Sequence, residues 1–263
     1  MDVSPESPGP EHEDAQPDSV FSFTGIRHVT ETSVRLAGVD GAAVALLGSS
    51  SDVRELVFAT TSLAQQLDEL QFTIGEGPCI DAHHAGEPVR VEDIRSSYAT
   101  QRWPIFGRGA ASLGARGMFA YPLLGGSSSF GVLELYRATP VDLTDVEHDA
   151  ARMCALAIAR SVLGHYTVSD AGETDSDAVP YEAVETDPDD IVSIEGGGHY
   201  SRAAVYVAAG MISVQLAVTT DVAMDRLRAH AFARGRSVTE VAADVVARRI
   251  SLKDERDSGG GSL

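Results

Sequence analysis

Between Gly164 and Gly198 the chain carries ten Asp or Glu, no Lys or Arg, and closes on Gly196-Gly197-Gly198. A stretch of that composition repels itself and offers little apolar surface, so it divides the chain into two units that must each build a core of their own. The division places a unit of ordinary domain size at 19–165, an acidic linker at 166–198 and a short unit at 199–253. Residues 1–18, rich in Pro, Asp and Glu, are expected to form a disordered acidic tail, and 254–263 a flexible tail. Nothing in this composition ties the two units together. They are expected to move independently unless something docks them.

Charge follows the same division. From His199 to Arg256 there are nine Lys or Arg against six Asp or Glu, a net of +3 in a chain whose formal charge is −19, which leaves −22 for the rest. Non-specific attraction of the whole molecule to nucleic acid or an anionic membrane is therefore excluded, and a polyanionic partner must use a local basic face. The acidic linker is itself a candidate to lie over that face.

The short unit reads as three helices. Ser201 to Leu216 has two apolar stripes, Val205/Ala209/Ile212/Leu216 and Ala204/Ala208/Met211, with Gly210 between them, so more than one face must be buried. A second helix starts at Thr219 or Thr220, which supply a capping hydroxyl, with Ala223, Leu227 and Ala231 inward and Gly235 placed to end it. The third opens on Ser237-Val238-Thr239-Glu240, a capping-box pattern, and turns Val238, Val241, Ala242 and Val245 inward.

The longer unit alternates strand and helix patterns. Ala42–Leu47 and Arg54–Thr61 read as strands joined by a Gly/Ser run, and Met118–Leu124 and Phe130–Tyr136 as a second hairpin in which Val132/Glu134/Tyr136 alternate with Leu133/Leu135. Val89–Val91 is a short strand between them. With helices over Val20–Leu36, Ser62–Glu69, Pro78–Ala85, Pro104–Leu113 and Val146–Leu163, the fold class is α+β, a mostly antiparallel sheet of about five strands flanked by helices and followed by a three-helix unit. The last of those helices has Val146, Ala150, Met153 and Ala157 on one stripe and Cys154, Ile158 and Val162 on another, so it can pack on the sheet and pair with a second copy, predicting a homodimer.

Two family resemblances fit this layout. Ala208-Ala209-Gly210-Met211, Ala223 to Arg228 with His230, and Gly235-Arg236-Ser237-Val238 followed by Val241-Ala242 and Val245-Val246 resemble the ANTAR domain of bacterial transcription antiterminators. That resemblance implies an RNA-binding module, pairs of which hold two small hairpins in a nascent transcript against a competing terminator. It marks Ala208, Gly210, Arg228, His230, Arg234 and Arg236 as the RNA-contacting set, in which Ala208 and Gly210, if they face outward, supply a patch of small residues beside the cationic ones. The element order of residues 20–165, with Gly75-Glu76-Gly77-Pro78-Cys79 at its centre, is similar to a GAF domain of the kind fused ahead of ANTAR domains. It implies a sensory or dimerisation unit, in which Cys79, Tyr98, Trp103, Phe119 and Tyr121 are candidates to line a small-molecule pocket. A DNA-binding regulator using Ser237–Arg249, or a protein-binding adaptor, are the alternatives.

Catalytic chemistry has little to stand on. No phosphate-binding GxxxxGK[ST], GxGxxG-in-βαβ or HExxH pattern occurs, and the adjacent His83 and His84 point in different directions on a helix, which argues against one shared metal. Lys253 is the single lysine and Asn is absent, which excludes the Asn/Lys signature of cyclic-nucleotide-binding GAF domains. Cys79 and Cys154 are too few for a disulfide framework, and an enzyme acting through Cys79 would need a resolving thiol nearby. No enzyme activity, no metal and no named cofactor are expected. With no apolar run of about eighteen residues and an acidic, Pro-rich start, the expected location is the cytoplasm, with no membrane contact.

Overall fold

The computed structural model describes residues 19–48, 54–169 and 202–252. The expected tails at 1–18 and 254–263 and all but the first residues of the expected linker lie outside the described residues, as does any contact of that linker with the basic face.

The first unit is built on one five-stranded antiparallel sheet. A long helix α1 (Ser19–Leu36) leads into β1 (Gly41–Leu47) and β2 (Arg54–Ala59), then come α2 (Ser62–Ile74), α3 (Pro78–Ala85), β3 (Val89–Val91), α4 (Ser97–Arg102), α5 (Phe106–Leu113), β4 (Gly117–Gly125), β5 (Ser128–Arg137) and α6 (Asp145–Ser169). The strand order is β2-β1-β5-β4-β3, which puts β2 on one edge and the long β4–β5 hairpin towards the other. Because side chains alternate along a strand, Phe119, Tyr121, Leu123, Leu133 and Leu135 face α1 and α6. Met118, Ala120, Val132 and Tyr136 face the layer of α2, α3, α4 and α5. Both faces are thus covered. Glu134, the one charged position in the β5 alternation, is accordingly only 4% exposed.

Helix ends follow local chemistry. Thr61 caps α2 by accepting from the N–H of Ala64, and Gly75, at φ 76°, ends it by donating its own N–H to the Gln71 carbonyl. The helix therefore continues five residues past Glu69, the end expected from its sequence pattern. Likewise α6 runs on to Ser169 instead of stopping at Leu163, and the short α4 was not expected.

The second unit contains α7 (Ala203–Leu216), α8 (Thr220–Ala233) and α9 (Val238–Val246), with α7 and α8 turned 108° from one another. Thr219 caps α8, and Ser237 with Glu240 forms the full reciprocal capping box of α9. Val205, Ala208, Ala209 and Ile212 pack against Ala223, Leu227, Val241, Ala242 and Val245. The small residues let the helices approach closely. Among the described residues no single helix is long and apolar enough to cross a membrane.

The two units are docked. α2 lies against α8 and α9, and Phe72 of α2, 1% exposed, belongs to the same apolar cluster as the helices of the second unit. Burying a phenyl ring fully is worth about 2–3 kcal/mol. The independence suggested by the linker's composition is overridden by this seam.

Candidate functional site

The Gly75-Glu76-Gly77-Pro78-Cys79 run is a junction in which each residue has a structural task. Gly75 caps α2, and the Glu76 carboxylate accepts from the N–H groups of Ile105 (2.7 Å) and Phe106 (2.8 Å) at the start of α5. Gly77 sits at φ 145°, where a Cβ would collide with the Gln71 side chain. Pro78 opens α3, and Cys79 then points inward with no exposure.

Behind that junction lies a buried chain of polar groups. The Gln71 side chain accepts from the Cys79 N–H (2.9 Å), and its Nε2 donates to both carboxylate oxygens of Glu134 (3.0 and 2.9 Å) and reaches Cys79 Sγ (3.3 Å). Glu134 lies 3.8 Å from Nη2 of Arg54. Arg54, on the edge strand and 1% exposed, grips Oδ1 of Asp68 through Nε (2.8 Å) and Nη2, while its Nη1 is buried without a hydrogen-bond partner among the described residues. Burial pushes the Glu134 carboxyl up to about 7 against the pull of Arg54. Burial likewise drives the Cys79 thiol well above its usual range, so it is a poor thiolate and a poor nucleophile.

The chain continues across the seam. Arg202, just ahead of α7, bonds Oδ2 of Asp68 through Nη2 and lies 3.3 Å from Oε2 of Glu69. Burial alone would raise the Asp68 carboxyl, but Arg202 and Arg54 together hold it below the ordinary carboxylate range. Around this ion cluster, the Tyr206 hydroxyl bonds the backbone of Arg54, the Thr239 hydroxyl donates to Glu69 (3.0 Å), and the Val238 N–H donates to the Thr73 hydroxyl (3.3 Å). The Arg228 Nε donates to the Phe72 carbonyl (3.1 Å). Arg54, Asp68, Gln71, Phe72, Glu134, Arg202 and Tyr206 were all missed in the sequence. The one available signal was Glu134, a carboxylate flanked on each side by two apolar residues of a strand.

The five pocket candidates do not form one site. Cys79 and Trp103 lie on the α2–α5 side, where the Trp103 indole N–H donates to Asp81 (3.2 Å) and Tyr98, 60% exposed, meets its ring edge-on at 6.0 Å. Phe119 and Tyr121 lie across the sheet, under α1 and α6, with the Tyr121 hydroxyl 2.9 Å from His148 Nδ1. His83 is buried against the Gly48 carbonyl and Ser129, and His84 is exposed. Among the described residues no cluster of His, Cys, Asp or Glu is arranged to hold a metal.

The six RNA candidates are also dispersed. Ala208, whose place in the patch required it to face outward, is wholly inside the bundle because α7 packs on two sides. Gly210 lines an open groove of about 600 Å³ with Met211, Val214, Val245 and Ile250. Arg228 lies over Phe72, His230 is buried with Arg234 Nη1 2.9 Å from its ring, and Arg236 pairs with Asp244 (2.8 Å).

A family model for the GAF domain matches residues 26–162. Similar solved structures include the GAF3 domain of Slr1393 from Synechocystis (15% identity, 58% of this chain and 99% of that one, TM-score 0.47). Another is the GAF domain of a phosphoenolpyruvate-protein phosphotransferase from Coxiella burnetii (16%, 59% and 99%, TM-score 0.41). A third is a type II free methionine-R-sulfoxide reductase from Thermoplasma acidophilum (10%, 55% and 94%, TM-score 0.41). No curated protein matches the chain.

Proposed function

The chain belongs to the GAF domain family, whose members are typical of sensory and regulatory proteins, and from that premise we propose that it is a cytoplasmic, non-enzymatic regulator in which the GAF unit governs an RNA-binding helical unit of ANTAR type. In this reading the protein acts as a transcription antitermination factor, holding paired hairpins of a nascent transcript. The observation that carries it is the composition of the helical unit, which sets seven arginines against four carboxylates over residues 202–252 in an otherwise strongly acidic protein. Ser237, which carries part of the ANTAR resemblance, caps α9 where that resemblance places the start of a helix, in support of the same reading.

The GAF unit serves association, a small-molecule signal, or both. Association is supported by α6, whose Val146, Met153, Leu156 and Leu163 remain exposed at near-heptad spacing while Cys154, Ile158 and Val162 pack on the sheet. Two copies paired along α6 would supply the two RNA-binding units that two hairpins need.

Crosslinking in cells followed by sequencing of the attached RNA tests the proposal. Leader RNAs with tandem hairpins are the expected catch, and purified protein should bind them far more tightly than duplex DNA of equal charge. Equal affinity for duplex DNA would favour the DNA-binding alternative, and absence of any salt-dependent binding the adaptor.

A further inference from the structure

The seam between the units has the chemistry of a ligand site. One face of α2 presents an aromatic ring, Phe72, and two carboxylates, Asp68 and Glu69. The helical unit brings two guanidiniums to the Phe72 ring, with Cζ of Arg202 4.3 Å and Cζ of Arg228 5.9 Å from its centroid, and sets Tyr206 edge-on to it at 6.5 Å. Arg202 bonds both carboxylates at the same time. An aromatic plane stacked by arginine, beside anionic oxygens taken by the same cation, is how proteins hold an unstacked base and its phosphate. Apolar packing alone would ask for neither cation: Arg202 is held by the ring and the two carboxylates, and Arg228 by the ring and the Phe72 carbonyl.

We propose that Arg202, Tyr206 and Arg228 form a binding site for one unstacked nucleotide of an RNA loop, and that α2 occupies this site as an internal mimic, Phe72 standing for the base and Asp68 with Glu69 for the phosphate. The proposal rests on the RNA-binding reading of the helical unit. RNA and the GAF unit then compete for the same three side chains, and the docked state is the inhibited one. α2 is also the transmitting element, because its other side holds Gln71 against Cys79 of α3 and Glu134 of the sheet.

The test uses the full chain and a fluorescent pool of stem-loop RNAs with randomised loops, at low salt. Phe72→Ala empties the base position directly. Glu69→Ala/Thr73→Val loosens the seam from its rim without touching the ring, and serves if the first variant fails to fold by circular dichroism. The folded variant should bind the pool at least ten-fold more tightly than wild type, and Arg202→Ala/Tyr206→Phe added to it should return the affinity to wild-type level or below. Unchanged affinity in the folded variant, or a gain that survives the loss of Arg202 and Tyr206, overturns the mimicry while leaving RNA binding in place. Absence of binding in wild type and every variant overturns the RNA reading itself, and the mimicry with it.

Discussion

The phenol of Tyr206 caps the first residue of the edge strand β2: it accepts from the backbone N–H of Arg54 at 2.6 Å and donates to the carbonyl of the same residue at 2.9 Å. An edge strand normally leaves such groups to water or to another chain. Here a side chain from the helical unit takes the place of a neighbouring strand, so docking and strand protection are one event. Tyr206→Phe should weaken docking by about 1–2 kcal/mol, the usual worth of hydrogen bonds lost at a partly buried site. Faster hydrogen exchange at the Arg54 amide is the direct readout, and unchanged protection would show that the phenol does not cover this edge.

Asp68 is the shared anion of two buried arginines. Asp68→Asn takes the shared carboxylate from Arg54 and Arg202, leaving Arg202 only Glu69 at 3.3 Å and Arg54 only Glu134 at 3.8 Å, and should cost on the order of 3–5 kcal/mol, the range for breaking a buried ion pair from one side. Arg202→Met should cost less, since Arg54 still satisfies Asp68. Urea denaturation of the two variants ranks them, and the reverse order would contradict the geometry.

Glu134 makes stability depend on pH in an identifiable sense. Its folded value of about 7 lies above the ordinary 4.5, so the folded state holds a proton that the unfolded state releases between those two values. The contribution is fully present below pH 4.5 and is lost as pH rises through 7. Wild type should therefore lose stability from pH 5 to pH 8, and Glu134→Gln should lose less over the same interval. Parallel urea midpoints for the two proteins across this range would show that Glu134 ionises normally.

Gly77 and Gly126 both have positive φ, 145° and 65°, but only the first is crowded, by the Gln71 side chain. Gly77→Ala should cost more than 2 kcal/mol, from strain plus displacement of Gln71, and Gly126→Ala about 1 kcal/mol from backbone strain alone. Thermal melts of the pair test the difference.

Met153 and Leu156 sit on the exposed stripe of α6. Met153→Glu/Leu156→Glu should convert a dimer to a monomer in sedimentation equilibrium while leaving the melting profile of the monomer intact. A wild-type protein that is already monomeric at tens of micromolar would remove the basis for pairing along α6.

Residue pattern alone determined a good deal of this protein. The five strands, the capping box at Ser237 and Glu240, the Pro78 start of α3 and the three helices of the second unit are set by side-chain periodicity and by hydrogen bonds between residues a few positions apart. Such signals are local, and they survive without knowledge of the rest of the chain. The end of α2 was not legible in the same way, because Phe72 and Thr73 belong to the helix only once Gly75 closes it and the second unit covers it. Nor were the partners of Arg54, Asp68 and Arg202, which lie 14 and 134 residues apart in the chain. Ala208 shows the same limit from the other side: in a helix with two apolar stripes the pattern does not say which is turned inward, and packing against α8 and α9 decided it. Pairing energy between distant charges depends on burial and separation in space, and neither is written in the spacing of the residues that make the pair.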